Sequence, residues 1–73
     1  MIEVKVFATL RIGRQKAYQL PAEEFHTAAE LLAYLNIPAE EVAIILINGF
    51  HSKVSDPVKD GDLVSFFPPC AGG

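Results

Sequence analysis

Residues 63–73 have the sequence LVSFFPPCAGG, and this stretch decides how the rest of the chain is interpreted. Its first five residues alternate, so that Val64 and Phe66 lie on one face of a predicted strand and their neighbours on the other. A Pro-Pro pair ends the strand, and two glycines follow, which add no packing energy and cost entropy whenever they are ordered. We therefore hypothesise that the tail, residues 68–73, is the functional part and that the other residues present it.

The composition predicts one small domain, residues 1–73, with a flexible tail. The sequence is 51% hydrophobic, which is enough for a single core, although a chain of this size buries only about 60% of its unfolded surface. A lone cysteine, Cys70, excludes an internal disulfide, and the two histidines and one cysteine have no metal-ligand spacing. The net charge of −3 argues against a nucleic-acid partner. Without a membrane-length apolar run or a signal-peptide pattern, we expect a cytoplasmic protein.

The first 20 residues predict a hairpin. Apolar residues alternate with charged ones from the start, which indicates a strand with one buried face. The residues expected to face the core are Ile2, Val4, Val6 and Ala8. Phe7 should then point away from the core, residues 9–14 should form a loop, and residues 16–20 should return as an antiparallel strand with Tyr18 and Leu20 inward.

One helix follows. Thr27 and Glu30 form a capping box, in which the Thr27 hydroxyl accepts from the Glu30 amide and the Glu30 carboxylate accepts from the Thr27 amide. The predicted helix runs from residue 28 to 35 or 36, with Phe25 closing over the core. Its apolar stripe consists of Ala28, Leu31, Leu32 and Leu35. Residues 38–41 predict a single further helical turn that begins with proline.

The second half of the chain predicts three more strands. Residues 43–47 are continuously apolar and rich in isoleucine, which favours a strand covered on both faces or carrying a binding surface. Asn48-Gly49 is a strong hairpin signal that leads to a short strand at residues 51–54. With the last strand at 63–67, the order is ββαβββ. It predicts an α+β β-grasp fold, a mixed sheet of four to five strands with one main helix packed on one face and the first and last strands as central neighbours.

The same alternation identifies a candidate docking face. It places Phe7, Leu46 and Phe67 on the side of the sheet away from the helix. Exposed apolar residues grouped on one small domain indicate an interface. A covering loop or a dimer contact would explain the same three residues.

With these features, the chain resembles the ubiquitin-like sulfur carriers, namely the small subunit of molybdopterin synthase (MoaD) and the thiazole sulfur carrier (ThiS). The resemblance rests on the opening strand, the capped helix, the Asn48-Gly49 turn, the Asp-Gly-Asp of residues 60–62, and the Phe-Phe-Pro-Pro-x-x-Gly-Gly ending. That ending is nearer to the molybdopterin carrier. The chain departs from the pattern by being somewhat short and by having Cys70 where an aliphatic residue is expected.

The resemblance implies a carrier that is not an enzyme and that binds no cofactor itself. It implies that an E1-like adenylyltransferase activates the Gly73 carboxylate with ATP, and that a sulfur donor converts it to a thiocarboxylate. The sulfur would then pass to an acceptor synthase, either the large subunit of molybdopterin synthase or thiazole synthase. No nucleic acid or membrane takes part.

The composition of the tail suits insertion into a narrow, shielded channel. Glycine has no Cβ, and consecutive prolines favour an extended chain. Six extended residues reach about 20 Å. The residues expected to enter a partner's channel are Pro68, Pro69, Cys70, Ala71 and Gly72, with Gly73 carrying the reactive carboxylate.

Other interpretations remain open from the sequence. The acceptor pathway can be molybdopterin, the tungsten cofactor, thiazole or another sulfur metabolite. A ubiquitin-like modifier would use Gly73 to form an isopeptide bond with lysine, and a plain β-grasp interaction module would have a passive tail. Cys70 is interpreted as a tolerated small residue rather than a second sulfur site, because its neighbours in sequence include no base to activate a thiol.

Overall fold

The computed structural model of the chain describes residues 1–69, so Cys70, Ala71, Gly72 and Gly73 lie outside the described residues. The regular elements are β1 (Ile2–Val6), β2 (Ala17–Leu20), α1 (Ala28–Tyr34), β3 (Ile44–Ile47), β4 (Phe50–His51) and β5 (Leu63–Phe67). Three short 3₁₀ turns, which we number in chain order, are Ala8–Arg11, Ala22–Glu24 and Ala39–Glu41. The predicted ββαβββ order is confirmed. No helix in residues 1–69 is long and apolar enough to cross a membrane.

The five strands form one mixed sheet in the order β2-β1-β5-β3-β4. The central strands β1 and β5 run parallel, with Val4 opposite Val64, and the other pairs are antiparallel. The helix α1 packs its apolar stripe against one face of this sheet. The architecture is therefore the predicted ubiquitin-like β-grasp fold, with all five strands present.

The core lies between α1 and the inner face of the sheet. The predicted inward residues of β1, β5 and α1 are buried, as are Leu20 and Phe25. Ala8 was wrongly predicted to be inward: it is exposed and has a positive φ of 52°. The strand ends at Val6, and the Leu10 amide donates to the Phe7 carbonyl (3.1 Å) to start the first 3₁₀ turn. Leu10 therefore enters the core in place of Ala8.

The helix begins with the predicted cap but with a different second bond. Thr27 Oγ1 accepts from the Glu30 amide at 3.3 Å. Glu30 Oε1 accepts from the amide of His26 at 2.7 Å, one residue before the predicted partner. The first two amides of the helix, of Ala28 and Ala29, donate to carbonyls in the loop at 54–56. The helix start is therefore fixed by tertiary bonds as well as by its own cap.

The predicted turn at Asn48-Gly49 is confirmed, but the strand after it was placed wrongly. Asn48 and Gly49 have φ values of 53° and 84°, as a two-residue type I′ turn requires. Such a turn pairs Ile47 directly with Phe50, so β4 is Phe50–His51 rather than residues 51–54. The chain then turns away from the sheet, and the Val54 carbonyl accepts from the Ala29 amide at the helix start (2.8 Å).

Candidate functional site

The side of the sheet that α1 leaves uncovered is the candidate docking face, and we call it the outer face. The strand register defines its members, because residues directly opposite each other share a face. On and just after the central strands they are Glu3, Lys5, Phe7, Ile44, Leu46, Leu63, Ser65 and Phe67, and the edge strands add Ala17, Gln19 and His51. Phe7, Leu46 and Phe67, which the sequence predicted for this side, lie there and are half-buried. Their role in docking stays a prediction.

Two phenylalanines, one just after β1 and one at the end of β5, stack at one end of the outer face. The rings of Phe7 and Phe67 are 4.4 Å apart between centroids and 9° from parallel. The Arg11 guanidinium carbon lies 5.0 Å from the Phe7 centroid, and Arg11 Nε donates to the Val6 carbonyl at 2.8 Å. A cation over an aromatic face adds attraction. Phe7 therefore contacts both Phe67 and Arg11, and we call these three residues the aromatic cluster.

The third predicted residue, Leu46, is farther along the sheet from Phe67 than Ile44, which was not predicted for this face. Ile44 lies directly opposite Phe67 in the sheet, and it is 39% exposed. Leu46 lies two residues farther along β3, opposite Ser65. The period-two pattern of β3 puts both side chains on the same face, so the alternation itself contains the signal for Ile44. The apolar part of the outer face therefore includes Ile44.

The first two residues of the tail, Pro68 and Pro69, lie at a cleft between two 3₁₀ turns. Pro68 is half-buried and Pro69 exposed. Together with four residues of the first and third 3₁₀ turns they line a cleft of about 360 Å³. Its lining residues are Thr9, Leu10, Glu40, Glu41, Pro68 and Pro69, and we call it the tail-base cleft. Just before the prolines, the Phe67 carbonyl accepts from the Ala43 amide at 2.8 Å, which fixes where the tail begins.

Arg14 holds the first 3₁₀ turn beside the end of the helix. Its Nε and Nη2 donate to the carbonyls of Leu35 (3.0 Å) and Asn36 (2.8 Å), and its Nη1 donates to Leu10 (3.0 Å). A cation at a helix C-terminus also interacts favourably with the helix dipole. One wall of the tail-base cleft is thereby tied to α1. The sequence contains no local signal for this, because the bonds span more than 20 residues.

The other end of β5 is held by a buried carboxylate. Asp62 is 4% exposed, and its oxygens accept from Asn48 Nδ2 and the Lys59 amide, both at 2.8 Å. Lys59 Nζ adds an ion pair at 3.2 Å. Burial raises the pKa of Asp62, but the hydrogen bonds from Asn48 and Lys59 and the Lys59 charge outweigh it, so the pKa lies below its usual value. This carboxylate ties the hairpin turn to the start of β5.

The possible metal ligands among residues 1–69 are not grouped. His26 and His51 are exposed and far apart in the chain. Across residues 1–69 there is no group of three or more His, Cys, Asp or Glu that could hold a metal ion. The predicted reactive carboxylate on Gly73, and the channel-entering residues Cys70, Ala71 and Gly72, fall outside the described part of the chain.

Comparison with known proteins gives one family match. The profile of the ThiS family matches residues 4–73, and no curated protein sequence matches the chain. The HVO 2177 protein of Haloferax volcanii is 30% identical, with a TM-score of 0.73 over 99% of this chain and 85% of that one.

Two further solved structures share the fold. A chain from the complex of subunits 1 and 2 of the molybdopterin-converting factor from Helicobacter pylori is 27% identical, with a TM-score of 0.65 over 99% of this chain and 97% of that one. Small archaeal modifier protein 1 from H. volcanii is 24% identical, with a TM-score of 0.70 over 93% of this chain and 95% of that one. At that lower identity the likeness concerns the fold alone.

Proposed function

The chain belongs to the ThiS family of small ubiquitin-like sulfur carriers, and on this premise we propose that it supplies sulfur for molybdopterin, in the biosynthesis of the molybdenum or tungsten cofactor. The observation that carries the proposal is the Phe-Phe-Pro-Pro-x-x-Gly-Gly ending, which continues the central strand β5. The strand thereby presents the tail beside an apolar face. The similarity to a chain of the molybdopterin-converting factor complex supports the same acceptor class.

The proposed reaction uses the terminal carboxyl carbon of Gly73. A carboxylate oxygen attacks the α-phosphate of ATP, pyrophosphate leaves, and an acyl adenylate forms. Sulfide, or the terminal sulfur of a persulfide, then attacks the acyl carbon and AMP leaves; a persulfide donor also needs a thiol to reduce the resulting acyl disulfide. The thiocarboxylate gives its sulfur to the acceptor, and water restores the carboxylate. The partners supply the catalytic groups, so the chain acts as a non-catalytic subunit.

The geometry of the tail base supports insertion into a shielded site. Activated acyl groups need protection from water, and a narrow chain can reach a protected site without opening it. The half-buried Pro68 and the exposed Pro69 favour an extended start to the tail. Because Phe67 is hydrogen-bonded in the sheet, the direction of the tail is set before it enters the partner.

We also propose that the outer face docks both the activating enzyme and the acceptor synthase. The stacked pair of Phe7 and Phe67, together with Ile44 and Leu46, offers an apolar patch close to the tail base. Two partners that use the same face must compete. An excess of acceptor subunit should therefore inhibit adenylation of the carrier, and a ternary complex of all three proteins would contradict this part of the proposal.

The decisive experiment is the intact mass of the chain after incubation with an E1-like adenylyltransferase, ATP and a sulfide source. We expect one oxygen to be replaced by sulfur at Gly73, and no change when ATP is omitted. Fragmentation is needed to localise the change, because oxidation of Met1 or Cys70 adds nearly the same mass. An unchanged carboxylate with several such enzymes would refute the carrier function.

Two alternatives use the same activated carboxylate. A carrier for thiazole or another sulfur metabolite would form the same thiocarboxylate but donate to a different synthase. A ubiquitin-like modifier would form an isopeptide bond with lysine, and the terminal Gly-Gly is compatible with this. Lysine-linked conjugates in cells, without a thiocarboxylate, would favour the modifier.

A further inference from the structure

We propose that the tail-base cleft receives a basic side chain, an arginine or a lysine, from the adenylating enzyme. The inference deepens the proposed function and rests on it. It assigns to the third 3₁₀ turn a part in recognition of the tail, separate from the apolar contacts of the outer face.

The size and lining of the cleft admit one long basic side chain. Three of its six lining residues are apolar, namely the buried Leu10 and the two prolines. Its volume of about 360 Å³ is at the lower end of the range for ligand pockets. The aliphatic stem of a lysine or arginine covers apolar surface of this kind while its charged head stays near polar groups.

The two glutamates that line the cleft favour a cation. Glu40 and Glu41 are both exposed, and within residues 1–69 neither takes part in an ion pair. The only other polar side chain in the lining is the hydroxyl of Thr9. Two carboxylates beside apolar lining residues accept hydrogen bonds and favour a positive donor, and arginine matches carboxylates in two-bond geometry.

The chain's own nearby cations are held elsewhere. Arg11 lies over Phe7 and donates to the Val6 carbonyl. Arg14 donates to three backbone carbonyls around the helix end. Neither arginine forms an ion pair with Glu40 or Glu41 in the described residues. The negative charge at the cleft is therefore left for a partner.

The length of the tail places the adenylating enzyme at this cleft. From Pro68 to Gly73 the tail spans six residues, which reach about 20 Å at most. For the terminal carboxylate to reach a shielded nucleotide, the mouth of the enzyme's channel must lie against the tail base. An enzyme that brings a carboxylate to ATP needs positive potential along this route, and that potential complements the two glutamates.

The chain provides a matched control. Residues 21–24 have the same sequence, Pro-Ala-Glu-Glu, as residues 38–41, and both form a 3₁₀ turn after the proline. Glu23 and Glu24 are exposed, as are Glu40 and Glu41, but do not line the cleft. Substitution of either pair removes the same charge from the same local structure.

The test is the affinity of the intact chain for the adenylating enzyme, measured by calorimetry at low and high salt. We expect the double substitution Glu40→Gln, Glu41→Gln to weaken binding about tenfold at low salt and less at high salt, since exposed charge pairs are screened. The control, Glu23→Gln, Glu24→Gln, should stay within about twofold, as expected for charges away from the contact. Far-UV circular dichroism verifies that both variants are folded.

A double-mutant cycle then identifies the partner side chain. Each basic residue at the mouth of the enzyme's channel is replaced in turn and combined with the Glu40→Gln, Glu41→Gln variant. One of them should show coupling, whereas distant residues should be additive. Equal effects of the two glutamate pairs, or additivity at every basic residue, would overturn the cleft proposal while thiocarboxylate formation by the unaltered chain keeps the carrier function. If the unaltered chain neither binds nor is adenylated, both proposals fail.

Discussion

The two Pro-Ala-Glu-Glu segments of this chain are alike in sequence and local structure but differ in their surroundings. In each, the fourth residue's amide donates to the proline carbonyl, at 3.2 Å for Glu24 and 2.9 Å for Glu41. The second segment of this kind, residues 38–41, lines the tail-base cleft, whereas the first, residues 21–24, leads into the helix. Local sequence therefore specifies the turn, and the position of the turn in the fold specifies what its glutamates meet.

The residue after each segment extends this contrast. Phe25 is buried and packs edge-on against Tyr34, with centroids 5.4 Å apart. Val42 is only half-buried, and the chain continues into β3 beside the tail base. We expect changes around the first segment to alter stability and changes around the second to alter partner binding.

The largest expected effect is on thiocarboxylate formation, and it comes from a change in the length of the tail that begins at the tail-base cleft. One residue added after Gly73 should abolish thiocarboxylate formation, because the carboxyl carbon no longer reaches the nucleotide in a closed channel. Intact mass after incubation with enzyme, ATP and sulfide measures this. Circular dichroism and affinity for the enzyme should be nearly unchanged. A normal yield from the extended chain would contradict the closed channel. The functional difference proposed between the two Pro-Ala-Glu-Glu segments, which depends on that channel, would then lose its basis.

The next effect separates the four exposed glutamates of the two Pro-Ala-Glu-Glu segments from the buried Asp62. Because its pKa is lowered in the folded state, Asp62 contributes stability above about pH 4 that is lost as the pH falls through its folded pKa. Asp62→Asn should lower the free energy of unfolding at pH 7 by about 2 kcal/mol and weaken its dependence on acid. Urea unfolding at several pH values measures both quantities. The four-fold substitution of the two glutamate pairs by glutamine serves as the control, and an equal loss of acid sensitivity in that control would contradict the assignment to Asp62.

A smaller effect is expected where the first segment enters the core. Phe25→Leu should lower the free energy of unfolding by about 1 kcal/mol, since it removes the edge-on contact with Tyr34 but keeps an apolar side chain. Affinity for the adenylating enzyme, measured under conditions where the variant is folded, should not change. Loss of affinity at constant stability would show that the two segments do not divide their roles in this way.

The smallest effect concerns the two glutamate pairs themselves. Replacing either pair by glutamine should change the free energy of unfolding by less than about 0.5 kcal/mol, as is usual for exposed side chains. Chemical denaturation of the two variants side by side tests this. A larger cost at Glu40 and Glu41 alone would indicate an internal contact of these residues and would weaken their assignment to a partner.

The fold could be predicted because its main signals are local. The alternation in β1 and β5, the capped helix and the Asn48-Gly49 turn each specify an element within a few residues, and the structure confirms all of them. The errors occur at the boundaries of elements, including the helix start, where Glu30 accepts from His26 rather than from Thr27. Alternation alone does not show that the chain leaves β1 before Ala8. The two-residue length of the turn sets the start of β4 at Phe50, one residue before the predicted start.

The candidate site was predicted only in part, because it combines distant segments. Phe7, Leu46 and Phe67 were assigned to the outer face from alternation, which is a property of each strand by itself. The contact of Arg11 with the Phe7 ring was not predicted, because a 3₁₀ turn rather than the alternation of a strand brings Arg11 there. The tail-base cleft was missed as well, because Leu10, Glu41 and Pro68 come together only when three separate segments meet.

The sequence by itself determined the strands and the helix, their order, the inward and outward residues of β1 and β5, and the family of the chain. These follow from turn chemistry, capping and hydrophobic periodicity, which act between residues close in the chain. Only the tertiary structure decided which of two identical Pro-Ala-Glu-Glu turns lies beside the tail. The order of strands in the sheet sets that position, because the pairing of β5 between β1 and β3 brings the tail base against the first and third 3₁₀ turns.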